Sequence, residues 1–324
     1  MLHFLTTADN RGPIRRYLRW WGGRLRGRVR LIPYEAIDDP ARLCEGAYIF
    51  GDIERLGARE LAKAEAIFAA LAARGGFRLF NRPGEVLRRY DLLRLLHARG
   101  LNHFNVHRID EDRDAIRNPV FVRDARQHSG PLSPLLHDAG GVDEAVGRLL
   151  AGGMDPADVL IVEFLDTRES DGYRKYSVMK AGAQLLAAHV FFDADWIVKG
   201  TTEWPPERVA ADNAFMVENP HAAAVGEIFD LAHIDFGRID YALRDGRIQV
   251  WEINTVPTIQ LRPRYYGADR RPGKEAFAER FNAALAGLDA DRHRVPVGER
   301  LRSYHDIFLT PKRRRGPRGC PTTR

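Results

Sequence analysis

Short apolar runs recur through the first hundred residues: HFLTT (3–7), VRLIPY (29–34), AYIF (47–50) and FRLF (77–80). Runs of this length bounded by turn residues predict buried strands. Apolar positions recur at helical spacing near 13–26, 58–74 and 86–99, and ARELAKAEAIFAALAARGG stops at a glycine pair. Strand and helix in alternation predict a small parallel α/β domain over residues 1–105. From Pro119 the pattern changes. VFVRDA (120–125), DVLIVEFL (158–165), YSVMKAG (176–182) and AHVFFD (188–193) read as strands, with helices near 142–152, 218–233 and 274–288. This half predicts an α+β organisation with mostly antiparallel strands.

The last strand pair lies in FGRIDYALRDGRIQVWEINTVP (236–257), which reads as a buried hairpin yet carries Asp240, Glu252 and Asn254. Unpaired buried carboxylates are costly, so a positive partner is expected beside them. Side chains alternate across a strand, placing Glu252 and Asn254 on one face. A two-residue Asp245-Gly246 turn pairs 240 with 251 and puts Asp240 on the opposite face. A three-residue Arg244-Asp245-Gly246 turn pairs 238 with 252 and brings Asp240 diagonally beside Glu252. The second turn is preferred because it gathers Arg238, Asp240, Glu252 and Asn254 on one face. Two carboxylates and an amide oxygen are hard donors suited to Mg²⁺ beside phosphates. The plainer reading is a salt-bridge cluster in which Arg238 pairs with Glu252.

Composition narrows the classes. The chain has 324 residues, 44% of them hydrophobic, and a formal net charge of +6. No apolar run is long enough for a membrane span and the N-terminus lacks a signal-peptide pattern, so a cytoplasmic protein is expected. Two distant cysteines, Cys44 and Cys320, give no disulfide framework and no cysteine-built zinc site. TPKRRRGPRGCPTTR (310–324) holds six Lys or Arg and no acid, so the excess charge sits in a tail expected to be disordered. RRYLRWWGGRLRGRVR (15–30) interleaves aromatics with arginine, but a helix with solvated arginines explains it better than nucleic-acid binding. No Walker A loop, GxGxxG or GxSxG elbow is present, and the Asp-Phe-Gly at 235–237 has no other kinase motif beside it.

GRID followed by EINTVP, from Phe236 to Pro257, closely resembles the C-terminal signature of the ATP-grasp superfamily, in the form seen in D-alanine:D-alanine ligases and similar carboxylate-amine ligases. FNRPGEVLRRYDLLRLLHARGLNHF (80–104) is similar to the family's linker and the helix that follows it. The resemblance implies a pre-ATP-grasp α/β domain (1–105), a first grasp subdomain (106–165), a second carrying the metal site (166–309), and the basic tail (310–324). It implies ATP and two Mg²⁺ ions, replaceable by Mn²⁺, with Asp240 and Glu252 on one ion and Glu252 and Asn254 on the other.

By the same resemblance Arg238 faces the transferred phosphate, and Lys199 and Arg123 bind phosphate, Arg123 standing where a lysine is usual. Lys175 is another of the chain's six lysines available to the nucleotide. Glu163 and Leu165 fall at the adenine, and Asp166 or Glu169 at the ribose. RQHSGPLS would be the phosphate lid, with Ser129 and Gly130 in place of the usual glycine-rich loop; His128 is a further candidate there, against the commoner reading of a structural or solvated loop histidine. Thr258 stands where D-alanine ligases have glycine, which leaves the substrate open, and Arg262 and Arg264 are candidates for an acidic group.

The implied activity is an ATP-dependent ligase joining a small-molecule or peptide carboxylate to an amine, or a thiol, through an acyl phosphate. Alternatives are an ATP-grasp kinase acting on a hydroxyl, and a non-catalytic nucleotide- or RNA-binding module. A homodimer through the first domain would be ordinary for the superfamily.

Overall fold

The structure, a computed structural model, describes residues 1–201 and 203–289. The tail at 310–324, with Lys312 and Cys320, lies outside the described residues. The first sheet is parallel and ordered β2–β1–β3–β4, from β1 (Leu2–Thr6), β2 (Val29–Pro33), β3 (Ala47–Phe50) and β4 (Arg78–Phe80). Helices α1 (Gly12–Trp20) and α2 (Ala58–Arg74) fill two of its crossovers. Every residue of β1 and β3 is buried, as strands covered on both faces require. α1 stops earlier than its apolar pattern does. Gly23, at φ +44°, breaks the helix, and Gly23–Leu25 forms a separate turn.

Beyond α3 (Arg89–Ala98) lies an antiparallel sheet ordered β5–β7–β6, from β5 (Val106–Arg108), β6 (Val120–Asp124) and β7 (Val159–Glu163). α4 (Ala139–Ala151) packs on one face of it. β5 is absent from the sequence reading because three residues are too few to show alternation.

The third sheet is antiparallel and ordered β11–β10–β8–β9. Its strands are β8 (Tyr173–Ala181), β9 (Gln184–Asp193), β10 (Phe236–Arg244) and β11 (Arg247–Asn254). In place of one helix over 218–233 there are two, α5 (Pro206–Glu218) and α6 (Ala222–Leu231). Asn219 takes the left-handed conformation at φ 44° and Pro220 follows, so the chain cannot run through as one helix. α5 escapes the apolar pattern because its innermost residue is charged: Asp212 is fully buried, accepting from the Val190 N–H at 3.0 Å and pairing with Lys274 and Arg270. α7 (Arg271–Asp289) packs against β8 and β9.

The first and third sheets share a core in which Phe4 meets Phe236 edge-on at 5.1 Å and Phe236 meets Phe281 at 6.2 Å. Asn81 fastens the same junction, bonding to both sheets through its side-chain amide. No helix among the described residues is long and apolar enough to cross a membrane.

The hairpin corrects one expectation. Arg244 pairs with Arg247 across a two-residue turn, Asp245 and Gly246, both at positive φ (51° and 73°), so the preferred three-residue loop does not form. The shared face arises differently. Tyr241 pairs with Val250 but Asp240 with Glu252, so Trp251 is an extra residue and the bulge resets the alternation. Gly246→Ala, straining a left-handed turn in open space, is expected to cost about 1 kcal/mol in urea unfolding while leaving ligand binding at the far end of the hairpin unchanged.

Candidate active site

The bulge aligns one row of side chains across the whole third sheet: His189 on β9, Ser177 on β8, Asp240 on β10 and Glu252 on β11. Asp240 is buried and accepts from Ser177 Oγ at 2.7 Å. Arg238, two residues away on the same face, grips both Asp240 oxygens through Nε and Nη2 at 2.8 and 2.9 Å and donates from Nη1 to the Thr258 carbonyl at 2.8 Å. The plainer sequence reading paired Arg238 with Glu252; its partner is Asp240. Asn254, opposite Arg238, accepts the Val256 N–H on Oδ1 at 2.8 Å.

Glu252 Oε2 takes three cationic neighbours. Arg89 Nη2 donates at 2.6 Å, Arg123 Nη2 donates as well, and His128 Nδ1 lies at 3.2 Å. Burial would raise the Glu252 pKa, but Arg123, His128 and Arg89 outweigh it and hold the carboxyl well below its usual range. Burial likewise opposes charge on His128, yet Glu252 and Glu54 raise its pKa above the ordinary value. His128 Nε2 reaches Glu54 Oε1 at 3.1 Å, and Glu54 in turn accepts from the Thr255 N–H and hydroxyl.

Two members of this cluster were not legible in sequence. Glu54, in GDIERLG after β3, matches no motif. Arg89, at the start of α3, donates through Nη1 to the carbonyls of Asp124, Ala125 and Gln127 at 2.5, 3.1 and 2.9 Å. One guanidinium thereby ties the loop carrying Ser129 and Gly130 to Glu252. Arg89→Lys, which cannot serve four acceptors at once, is expected to raise the apparent nucleotide dissociation constant about tenfold or more through a loosened loop, read by calorimetry.

These groups border a cleft of about 370 Å³. Phe121, Phe164, Leu165 and Trp196 form an apolar end, with Trp196 5.0 Å from Phe121 and 5.5 Å from Phe164. The other end carries Arg123, Arg174, Lys175, Lys199 and Arg238 against Asp240 and Glu252, so cations outnumber carboxylates five to two. Burial, with Arg238 and Arg123 nearby, lowers the Lys175 pKa although Asp240 and Glu252 oppose it. Ser129 and Gly130 line the cleft, and a side chain added at Gly130 would meet Lys199 Cε at 3.3 Å.

Three residues expected at the nucleotide do not line the cleft. Glu163 shares a face of β7 with Val159 and Ile161, which pack toward α4, whereas Leu160 and Val162 face the cleft aromatics. Its carboxylate is buried beside Arg117, His107 and two backbone N–H groups. Asp166 is exposed and accepts the Arg168 N–H, and Glu169 pairs with Arg174 at 3.3 Å. Asn254 is not among the lining residues either.

The Glu163 contacts set an acid limb. Burial opposes ionisation, but His107, Arg117 and the backbone donors hold the pKa near about 2, from an ordinary 4.5. A depressed carboxyl contributes stability above pH 4.5 and loses it as pH falls toward 2. Urea midpoints of wild type and Glu163→Gln should therefore differ most above pH 4.5 and converge on acidification.

No protein-family model matches the sequence, and no curated protein matches it. Solved structures do. D-alanine–D-alanine ligase from Bacillus anthracis aligns with a TM-score of 0.52 at 14% identity, covering 89% of this chain and 95% of that one. D-cycloserine synthetase DcsG aligns with a TM-score of 0.51 at 18% identity, over 86% of this chain and 99% of that one. The fold is that of the ATP-grasp ligases. On this ATP-grasp scaffold the aligned row, the Arg89-tethered loop and the aromatic end converge on one cleft. Among the described residues no group of three or more His, Cys, Asp or Glu is arranged to hold a metal ion. The carboxylates lining the cleft are Asp240 and Glu252, both engaged by arginine.

Proposed function

We propose that the protein is an ATP- and divalent-cation-dependent ligase that joins a carboxylate to an amine through an acyl phosphate. The observation that carries this reading is the single cleft with an aromatic end and a cationic end that still holds two facing carboxylates. An adenine suits Phe121, Phe164 and Trp196; a triphosphate suits Arg123, Lys175, Lys199 and Arg238. Asp240 and Glu252 would supply the hard oxygens that Mg²⁺ requires, and a cation there would neutralise charge on the β- and γ-phosphates; Asn254, outside the cleft lining with its Oδ1 on the Val256 N–H, is not assigned to an ion.

The arginine pairs give that donor set a condition. Arg238 occupies both Asp240 oxygens and Arg123 occupies Glu252 Oε2. A bound triphosphate would compete for these guanidinium groups, and Asp240 and Glu252 would then be the residues to hold a cation, so binding of nucleotide and cation would be coupled.

In the chemical step a substrate carboxylate oxygen attacks the γ-phosphorus as the bond to the β–γ bridging oxygen breaks, releasing ADP. Arg238 and Lys199 stabilise the charge on the transferring group. The amine then attacks the acyl carbon, phosphate leaves, and the nitrogen loses its proton to give the amide. The loop at 126–131, tied down by Arg89, limits water reaching the intermediate.

The test is trapping. With ATP, Mg²⁺ and candidate carboxylates, hydroxylamine should capture a hydroxamate and ADP should accumulate. A stable phosphorylated hydroxyl compound, with no hydroxamate from any carboxylate, would place the protein among kinases instead.

A further inference from the structure

α1 buries Ile14, Tyr17 and Leu18 and turns Arg15, Arg16, Arg19 and Trp20 outward. The stretch 11–30 holds eight arginines and no acid. Against this helix lies the loop that follows β11, fixed by a bond from Trp21 Nε1 to the Leu261 carbonyl at 2.7 Å. Arg19 on the helix and Arg262 on the loop both bring their guanidinium groups over the Trp20 ring, at 5.2 and 5.1 Å from its centre. Among the described residues, Arg15, Arg16, Arg19, Arg262 and Arg264 enter no ion pair. Three of the five exposed large apolar side chains, Trp20, Leu261 and Tyr265, gather in these two segments. Like charges brought to one ring with no carboxylate between them repel one another, and a polyanion would relieve that repulsion.

The patch reaches the cleft through one bond, to the cleft-lining Arg238. The loop begins at Thr258, whose carbonyl accepts from Arg238. From there to Arg262 is four residues, hence at most about 14 Å of extended chain. A ligand with its reacting group beside Arg238 and three or four further residues spans that distance.

We infer that the surface formed by α1 and the 258–265 loop docks an acidic peptide, which is the carboxylate substrate of the cleft; the inference rests on the ligase reading above. A peptide fits better than RNA on two counts. The Trp20 ring already carries two guanidinium groups, so it is not an open platform for a base, and RNA provides no carboxylate to activate. Exposed guanidinium forks pair with carboxylates at low net gain singly, so several must act together and the interaction must weaken with salt.

The probe is fluorescein-labelled hexaglutamate, followed by anisotropy with the full chain. Binding should fall at least tenfold between 50 and 300 mM salt, on the order expected for several exposed pairs. Arg16→Glu/Arg19→Glu/Arg262→Glu should lose binding by about thirtyfold or more, whereas an equal charge change elsewhere, Arg59→Glu/Arg99→Glu/Arg148→Glu, should stay within about twofold. The patch variant should retain wild-type ATP affinity by calorimetry, showing an intact fold and cleft, and should lose hydroxamate formation on hexaglutamate. Equal losses in the two variants, or tighter binding of oligouridylate than of hexaglutamate, would overturn the inference. Peptide binding with no hydroxamate from any carboxylate would instead overturn the ligase reading while leaving the docking surface standing.

Discussion

Glu252→Gln is expected to abolish ADP formation, by at least about a hundredfold, and also to destabilise the fold. The carboxylate is buried and serves Arg89, Arg123 and His128 together. Glutamine keeps the size and one acceptor oxygen but removes the charge, leaving a buried Arg89 uncompensated. Breaking one partner of a buried pair costs about 3–5 kcal/mol, which for a chain of this size lowers the melting midpoint by roughly 4–8 °C. Catalytic and structural losses are separable by Glu252→Asp, which restores the charge on a shorter arm: stability should recover more than activity. A Glu252→Gln protein with full turnover would remove the cation reading of this carboxylate. Unchanged stability would show that Arg89 does not depend on it.

Asn81→Ala should produce the largest effect on stability with no direct role in chemistry. The residue is fully buried at the end of β4, in the left-handed conformation at φ 62° that asparagine tolerates better than most residues. Its Nδ2 donates to the Phe50 and Phe236 carbonyls at 3.1 and 2.8 Å, and its Oδ1 accepts the Asp235 and Phe236 N–H groups at 2.7 and 2.9 Å. Alanine leaves four backbone groups without their partner at the junction of the first and third sheets. At about 1–3 kcal/mol for each unsatisfied buried group, partly relieved by relaxation, a loss on the order of 4 kcal/mol is expected. Asn81→Asp keeps the two acceptor contacts and should fall between. A loss below about 1 kcal/mol in chemical denaturation would contradict the role of this amide as the clamp.

The layout of the first half was plain in the chain because each strand is a short, mostly apolar run between turn residues and each helix a periodic one. LHFLT and AYIF are buried at every residue, His3 and Thr6 included. The hairpin shows both the reach of such reading and its failure. The shared face of Asp240 and Glu252 follows from the need to compensate buried charge, but the turn was misread because the alternation alone does not reveal the bulge at Trp251. Glu163 is placed at the adenine by resemblance alone; its side chain lies on the face of β7 that α4 covers, away from the cleft. Contacts between distant segments left the weakest traces. Glu54, Arg89 and His128 meet only after three separate parts of the chain fold together; Glu54 and Arg89 read in sequence as ordinary surface charges, and His128 stands out only as part of the lid. Asp212 hid α5 for a related reason: its partners Arg270 and Lys274 lie nearly sixty residues onward, so a charged residue in the core looked like a break in the apolar stripe.

The most direct measurement is a calorimetric titration of the full chain with ATP in the presence and absence of Mg²⁺. Because Arg123 and Arg238 engage these carboxylates and a triphosphate would compete for both arginines, ATP should bind at least about tenfold more tightly with Mg²⁺, and Asp240→Asn should erase that difference. ATP affinity that is undetectable, or identical with and without the cation, would contradict a metal-nucleotide site in this cleft.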